Sequence, residues 1–144
     1  MFKTLHPNKV FYRQTFMGVS NSVKQLKTMC WFSPIPNYGD SYGPVVSSYA
    51  PKKPLKLLDI GSMKTRAHLV SIFPKLNMLM DPDEQYSGGK TNLQIHKLLE
   101  EHFGGVCDGT IIVEKDLIEE DKELLEGPSE IVLWGCLQQK IKKL

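Results

Sequence analysis

Apolar and β-branched residues come in short runs, each stopped within a few residues by proline or glycine. That rhythm restricts what the chain can fold into. Lys9–Phe16 is rich in aromatic and β-branched residues. Thr28–Ser33 ends at Pro34 and Pro36, and Val45–Tyr49 runs into Pro51 and Pro54. Leu55–Ile60 is closed by Gly61, Val106–Val113 combines a turn with a strand, and Glu130–Trp134 follows Gly127-Pro128. Runs this short and this apolar predict half-buried or buried strands. Helical signals are fewer. Ser20-Asn21-Ser22 offers an N-cap for a short helix over Val23–Lys27. Thr65–Phe73 reads as helix up to Pro74. From Thr91, Ile95, Leu98, Leu99, His102 and Phe103 recur on one face until Gly104-Gly105. Asn37–Gly43 is a loop or one short helix, and Lys140–Leu144 reads as a tail. The order lacks regular βαβ alternation and predicts an α+β fold.

At 144 residues the chain fits a single globular domain spanning 1–144, large enough to bury a core without disulfide staples. No stretch reaches the ~20 apolar residues of a membrane span. Residues 1–7 lack the apolar core of a signal peptide, which predicts an intracellular, cytoplasmic protein. The net charge of +2 conceals an uneven distribution. Glu114–Glu126 holds seven acidic and two basic residues, a charge of −5, which leaves +7 on the rest. Residues 114–129 are therefore expected to form an acidic loop or short helix before the last strand. The basic remainder favours an anionic partner.

Several familiar chemistries lack their residues. Gly89-Lys90-Thr91 resembles the end of a phosphate-binding loop, but Glu84 stands where that loop needs glycine, and no buried strand precedes it. The four histidines include no i, i+4 pair, and the three cysteines no CxxC, so no metal site is expected. His102 reads as a partly buried packing residue. Cys30, Cys107 and Cys136 lie in or beside apolar runs and read as buried, inert thiols. Asp81, Asp83 and Glu84 lack calcium-loop spacing and read as solvated turn residues.

Three segments carry a resemblance: Phe11-Tyr12-Arg13 on the first predicted strand; Trp31-Phe32-Ser33-Pro34, followed by Tyr38 and Tyr42; and Ser129-Glu130-Ile131-Val132-Leu133. This order resembles the arginine–serine–glutamate pattern of the ADP-ribosyltransferase superfamily, and Lys53–Asp59 resembles the strand after that family's cleft loop. The resemblance implies a compact split β-sheet domain with a few short helices. It also implies NAD as substrate, no metal, and transfer of ADP-ribose to a protein or nucleic-acid acceptor. Its site would hold Glu130, Arg13 and Ser33 as catalytic residues. Arg13, Gln14, Ser33, Tyr38 and Tyr42 would contact the dinucleotide. Gln14 stands where the family commonly has glycine, and Pro128 where a second glutamate or glutamine often sits.

These residue types suit cleavage of the nicotinamide–ribose bond. Its oxocarbenium-like centre needs positioning and charge stabilisation more than covalent help. Arg13 could fork onto pyrophosphate oxygens, Ser33 could bond a ribose hydroxyl, and Tyr38 or Tyr42 could stack on the ring. Glu130 could stabilise the cation and activate the acceptor. Asp108–Ile112 followed by Glu130–Leu133 is also similar to small proteins of large DNA viruses and phages. That origin would place the protein in the host cytoplasm. Two alternatives stay open. One is a non-enzymatic interaction or effector protein. The other binds nucleic acid through Lys24, Lys27, Lys52, Lys53, Lys56, Lys64 and Arg66.

Overall fold

A computed structural model describes residues 1–26, 28–34, 43–74, 89–112 and 130–144. In chain order the strands are β1 (Phe2–Leu5), β2 (Phe11–Thr15), β3 (Met29–Phe32), β4 (Val45–Pro51) and β5 (Leu55–Asp59), then β6 (Gly109–Ile112), β7 (Glu130–Trp134) and β8 (Ile141–Lys143). The helices are α1 (Met63–Ile72), α2 (Gly89–Phe103) and α3 (Leu137–Lys140), with a 3-10 turn at Val23–Gln25. The fold is α+β, with its strands divided between two sheets. The acidic segment 114–129 lies outside the described residues, as do Tyr38 and Tyr42.

The larger sheet runs β1-β5-β6-β7-β3 and the smaller β2-β4-β8. All pairings are antiparallel except β5 with β6. Strand alternation divides the large sheet's side chains between two cores. Leu57, Ile111, Ile131, Leu133, Cys30 and Phe32 face the small sheet, where Phe11, Tyr49 and Ile141 meet them. Leu58, Ile112, Val132 and Trp134 face Leu69 of α1 and Ile95, Leu99 and Phe103 of α2. The inner layer lies between the sheets, and the helices cover the outer face of the large one.

Two strands escaped the sequence reading. β1 is anchored by pairing with β5, Phe2 against Leu58. β8 occupies the stretch read as a tail. Ile141 is fully buried and pairs with Pro51, while Lys140 bonds the Trp134 carbonyl at 2.7 Å and Asp108 at 3.0 Å. Three further expectations are corrected. Ser20-Asn21-Ser22 does not cap a helix, because Asn21 turns inward and donates to Thr15 Oγ1 at 2.8 Å, leaving only a 3-10 turn. His102 is exposed, its ring edge-on to Phe73 and Phe103. His96 is the buried histidine of α2. Cys136 is exposed, whereas Cys30 and Cys107 are buried.

Asn21 ties the inner layer together. Its backbone carbonyl accepts the Tyr49 hydroxyl at 2.7 Å, and its Oδ1 accepts from Arg13 at 3.2 Å. Tyr49→Phe would strand that buried carbonyl. The expected cost is about 1–2 kcal/mol, read as a fall of a few degrees in melting temperature.

Candidate functional site

Among the described residues, the two sheets meet edge to edge at one place. β2 is an edge of the small sheet and β3 an edge of the large one. Between them Tyr12 and Ser33 form a single antiparallel bridge, with Tyr12 N donating to Ser33 O at 2.7 Å and Ser33 N to Tyr12 O at 2.8 Å. Pro34 follows immediately, and a residue without an N–H cannot extend a ladder. The junction is therefore a split: two strand edges joined at one pair.

Alternation fixes which side chains share this split. On β3, Cys30 and Phe32 point inward, so Met29, Trp31 and Ser33 point outward. On β7, Ile131 and Leu133 point inward, so Glu130 shares the outer face with Val132 and Trp134. β3 and β7 pair as Phe32 with Ile131 and Trp31 with Val132, and one further step brings Ser33 abreast of Glu130. Tyr12, across the bridge, faces outward together with Gln14, whose amide reaches the Gly43 carbonyl at 3.4 Å. A row of Glu130, Ser33 and Tyr12 thus crosses the junction, with Trp31 diagonal to Glu130 and Gln14 one step along β2.

Arg13 points the other way. It shares the inner face with Phe11 and Thr15, lies near the Cys30 thiol and Tyr49 hydroxyl, and bonds Asn21. The structure therefore brings Ser33, Glu130 and Gln14 to one face and leaves Arg13 behind strand β2. No carboxylate pairs with Arg13 among the described residues, and one hydrogen bond leaves most of its five donors free.

Electrostatics mark the same row. Burial pushes the Glu130 carboxyl up to about 7. Behind Trp31 lies His96, whose ring is edge-on to Trp31 at 5.4 Å and to Trp134 at 6.4 Å. Its Nδ1 is 3.5 Å from Thr110 Oγ1, and burial lowers its pKa to about 4, so it is neutral at pH 7. Burial also raises the Cys30 thiol despite the nearby Arg13 charge, which leaves it protonated and a poor nucleophile.

Trp31 and His96 are the residues the sequence reading undervalued. Period-two alternation from Ser33 was the available signal for Trp31. None pointed to His96, whose surroundings are assembled by the fold. Among the described residues, no three His, Cys, Asp or Glu side chains gather to hold a metal ion, and no helix is long and apolar enough to cross a membrane. The lysines of the basic set are partly engaged locally. Lys56 lies over the Phe2 ring at 4.4 Å, and Lys52 donates to the Gln138 carbonyl at 2.7 Å. Compared with known protein families, curated proteins and solved structures, the chain matches none.

Proposed function

We propose that the protein binds an NAD-type dinucleotide across the β2/β3 split and transfers its ADP-ribosyl group to a macromolecular acceptor. The observation that carries this reading is the single Tyr12–Ser33 bridge with the half-buried carboxyl of Glu130 beside it. Strand edges joined at one pair leave backbone groups that an extended ligand could meet. A desolvated carboxylate gives a developing cation its counter-charge.

The step balances without a further reactant. The bond between ribose C1′ and the nicotinamide nitrogen breaks, and its electron pair leaves with the ring, neutralising the pyridinium. Glu130 stabilises the oxocarbenium left behind. The acceptor, or water, attacks C1′ and gives its proton to the Glu130 carboxylate. Ser33, on the same face as Glu130, hydrogen-bonds a ribose hydroxyl.

Glu130 must be ionised to act, so nicotinamide release is expected to rise with pH through about 7 and level off above. The direct test is to incubate the protein with NAD⁺ and measure nicotinamide release, label transfer and melting temperature. At 100 times the dissociation constant, NAD⁺ adds about 2.7 kcal/mol of stability. An unmoved melting temperature with no release rejects the reading.

One observation favours a second reading. The turn after β2 exposes Phe16 (62%), Met17 (83%) and Val19 (49%) together. So apolar a tip suits a protein-binding surface. A flat NAD⁺ titration would transfer the function to an interaction protein using that turn.

A further inference from the structure

We infer that the outer face of the small sheet binds single-stranded nucleic acid, with Tyr12 and Phe16 as stacking rings and lysines at one end holding the phosphates. The inference does not depend on Glu130 or its proposed chemistry.

Charge comes first. The small sheet and its flanking turns are built from residues 9–26, 43–54 and 137–144, which hold eight lysines and arginines and no aspartate or glutamate. All 16 acidic residues lie elsewhere in the chain. Of the eight cations, only Lys140 meets a carboxylate among the described residues, Asp108 at 3.0 Å. Lysines on an edge strand blunt unwanted pairing, which accounts for Lys142 and Lys143 of β8. That role does not cover Lys9, Lys52 and Lys53, which stand outside the strands. An acid-free surface of this kind favours a polyanion.

The face itself is open. Phe11, Tyr49 and Ile141 point into the inner core, so alternation turns Tyr12, Gln14, Val46, Ser48 and Lys142 outward. Helices α1 and α2 cover the large sheet, and no cluster of buried side chains lies over this face among the described residues. Tyr12 is partly exposed, and Phe16, directly after β2, is 62% exposed. The two rings stand roughly 14 Å apart along the strand direction. The Gln14 amide lies between them, and the Ser48 hydroxyl is abreast of Tyr12. Rings offer stacking to bases and lysines offer charge to phosphates, the two needs of an unpaired strand.

The same layout disfavours a membrane. Lys52, Lys53 and Lys142 lie where β4 finishes, and the apolar turn at Phe16 and Met17 lies where the antiparallel β2 finishes. A five-residue strand separates these ends, roughly 17 Å. Exposed charges act over about 8–10 Å at physiological salt, so a bilayer engaging the turn would gain little from the lysines. An extended polyanion lying along β2 meets both ends.

The test is fluorescence anisotropy of a labelled oligothymidylate titrated with the full chain. Four phosphates met by Lys9, Lys52, Lys53 and Lys142 predict about 50-fold weaker binding when salt rises from about 50 to about 200 mM. Lys142→Gln should reduce that factor to about 20-fold. Tyr12→Ala and Phe16→Ala should each weaken binding about 5- to 100-fold. Phe16 is exposed and outside the strand, so its variant tests stacking even if Tyr12→Ala fails to fold. No binding at about 50 mM salt overturns the inference. So does binding that Phe16→Ala leaves unchanged. Polyglutamate or phosphatidylserine vesicles competing as well as the oligonucleotide would show recognition of charge alone, or of a membrane, and would equally overturn it.

Discussion

Glu130→Gln is expected to lower nicotinamide release at least 100-fold, the size of loss seen when one transition-state charge partner is removed. The same variant is expected to change how stability depends on pH. Glu130 has a carboxyl raised from 4.5 to about 7 in the folded protein, and His96 a pKa lowered from 6.5 to about 4. A raised carboxyl weakens the folded state as pH climbs from about 4.5 to 7, because the unfolded chain ionises first. A lowered histidine does the opposite, with stability rising from about pH 4 to 6.5 as the unfolded imidazole gives up its proton. Each effect spans roughly 3 kcal/mol. Between pH 4.5 and 6.5 they cancel. The folded protein holds one proton on Glu130, the unfolded chain holds one on His96, and unfolding neither takes up nor releases a proton from this pair.

Removing the carboxyl exposes the histidine. Relative to the native protein, Glu130→Gln should be nearly unchanged in stability at pH 4 and more stable by up to roughly 3 kcal/mol at pH 8. Urea unfolding of both proteins across that range reads the difference, in which other titrating groups drop out. Two parallel curves would mean that Glu130 is not protonated in the folded state at pH 5. That would also remove the expected activity threshold near pH 7.

Gly109→Ala is expected to destabilise the protein by about 3 kcal/mol, a fall in melting temperature of about 10 °C. Gly109 opens β6, between Leu57 of β5 and Leu133 of β7. A Cβ there would overlap the Val132 carbonyl oxygen and press on Leu133 Cα at 3.0 Å. Both are backbone atoms of a strand paired on its two sides, so no side chain can swing away. Relief requires β7 to shift, and β7 carries Glu130. The substitution should therefore impair ligand binding in whatever fraction stays folded. A circular-dichroism melt within two or three degrees of the native protein would show that the close approach is not maintained.

Much of the architecture was legible because it rests on local pattern. Leu55–Asp59 and Glu130–Trp134 are apolar enough to announce central strands, and α1 ends just before Pro74 as proline requires. β1 and β8 were not legible, since Phe2–Leu5 and Ile141–Lys143 carry too little apolar pattern of their own and are defined by their pairing with β5 and β4. Ser33 and Glu130 were named from sequence, and the β3–β7 register brings them abreast. The side on which Arg13 falls was half legible. Alternation separates it from Tyr12 and Gln14, but only the antiparallel bridge to Ser33 says which face of β2 continues the face of Glu130. His96 went unread because helical periodicity assigned the apolar face to His102. The cradle formed by Thr110, Trp31 and Trp134 comes from three strands distant in sequence.

The β3–β7 pairing also governs how the molecule reaches its native state. Met29 pairs with Trp134, more than a hundred residues along the chain, and β4 meets β8 across a comparable interval. Closing such loops is entropically unfavourable until strands at both ends are in place, so folding should be slow and governed by topology, like that of all-β domains. Until β7 docks, the Met29–Phe32 segment is an apolar strand with both edges unpaired. In a crowded solution such a segment is a template for another chain. The edge that gives the finished protein its split is thus its point of greatest exposure to aggregation during folding.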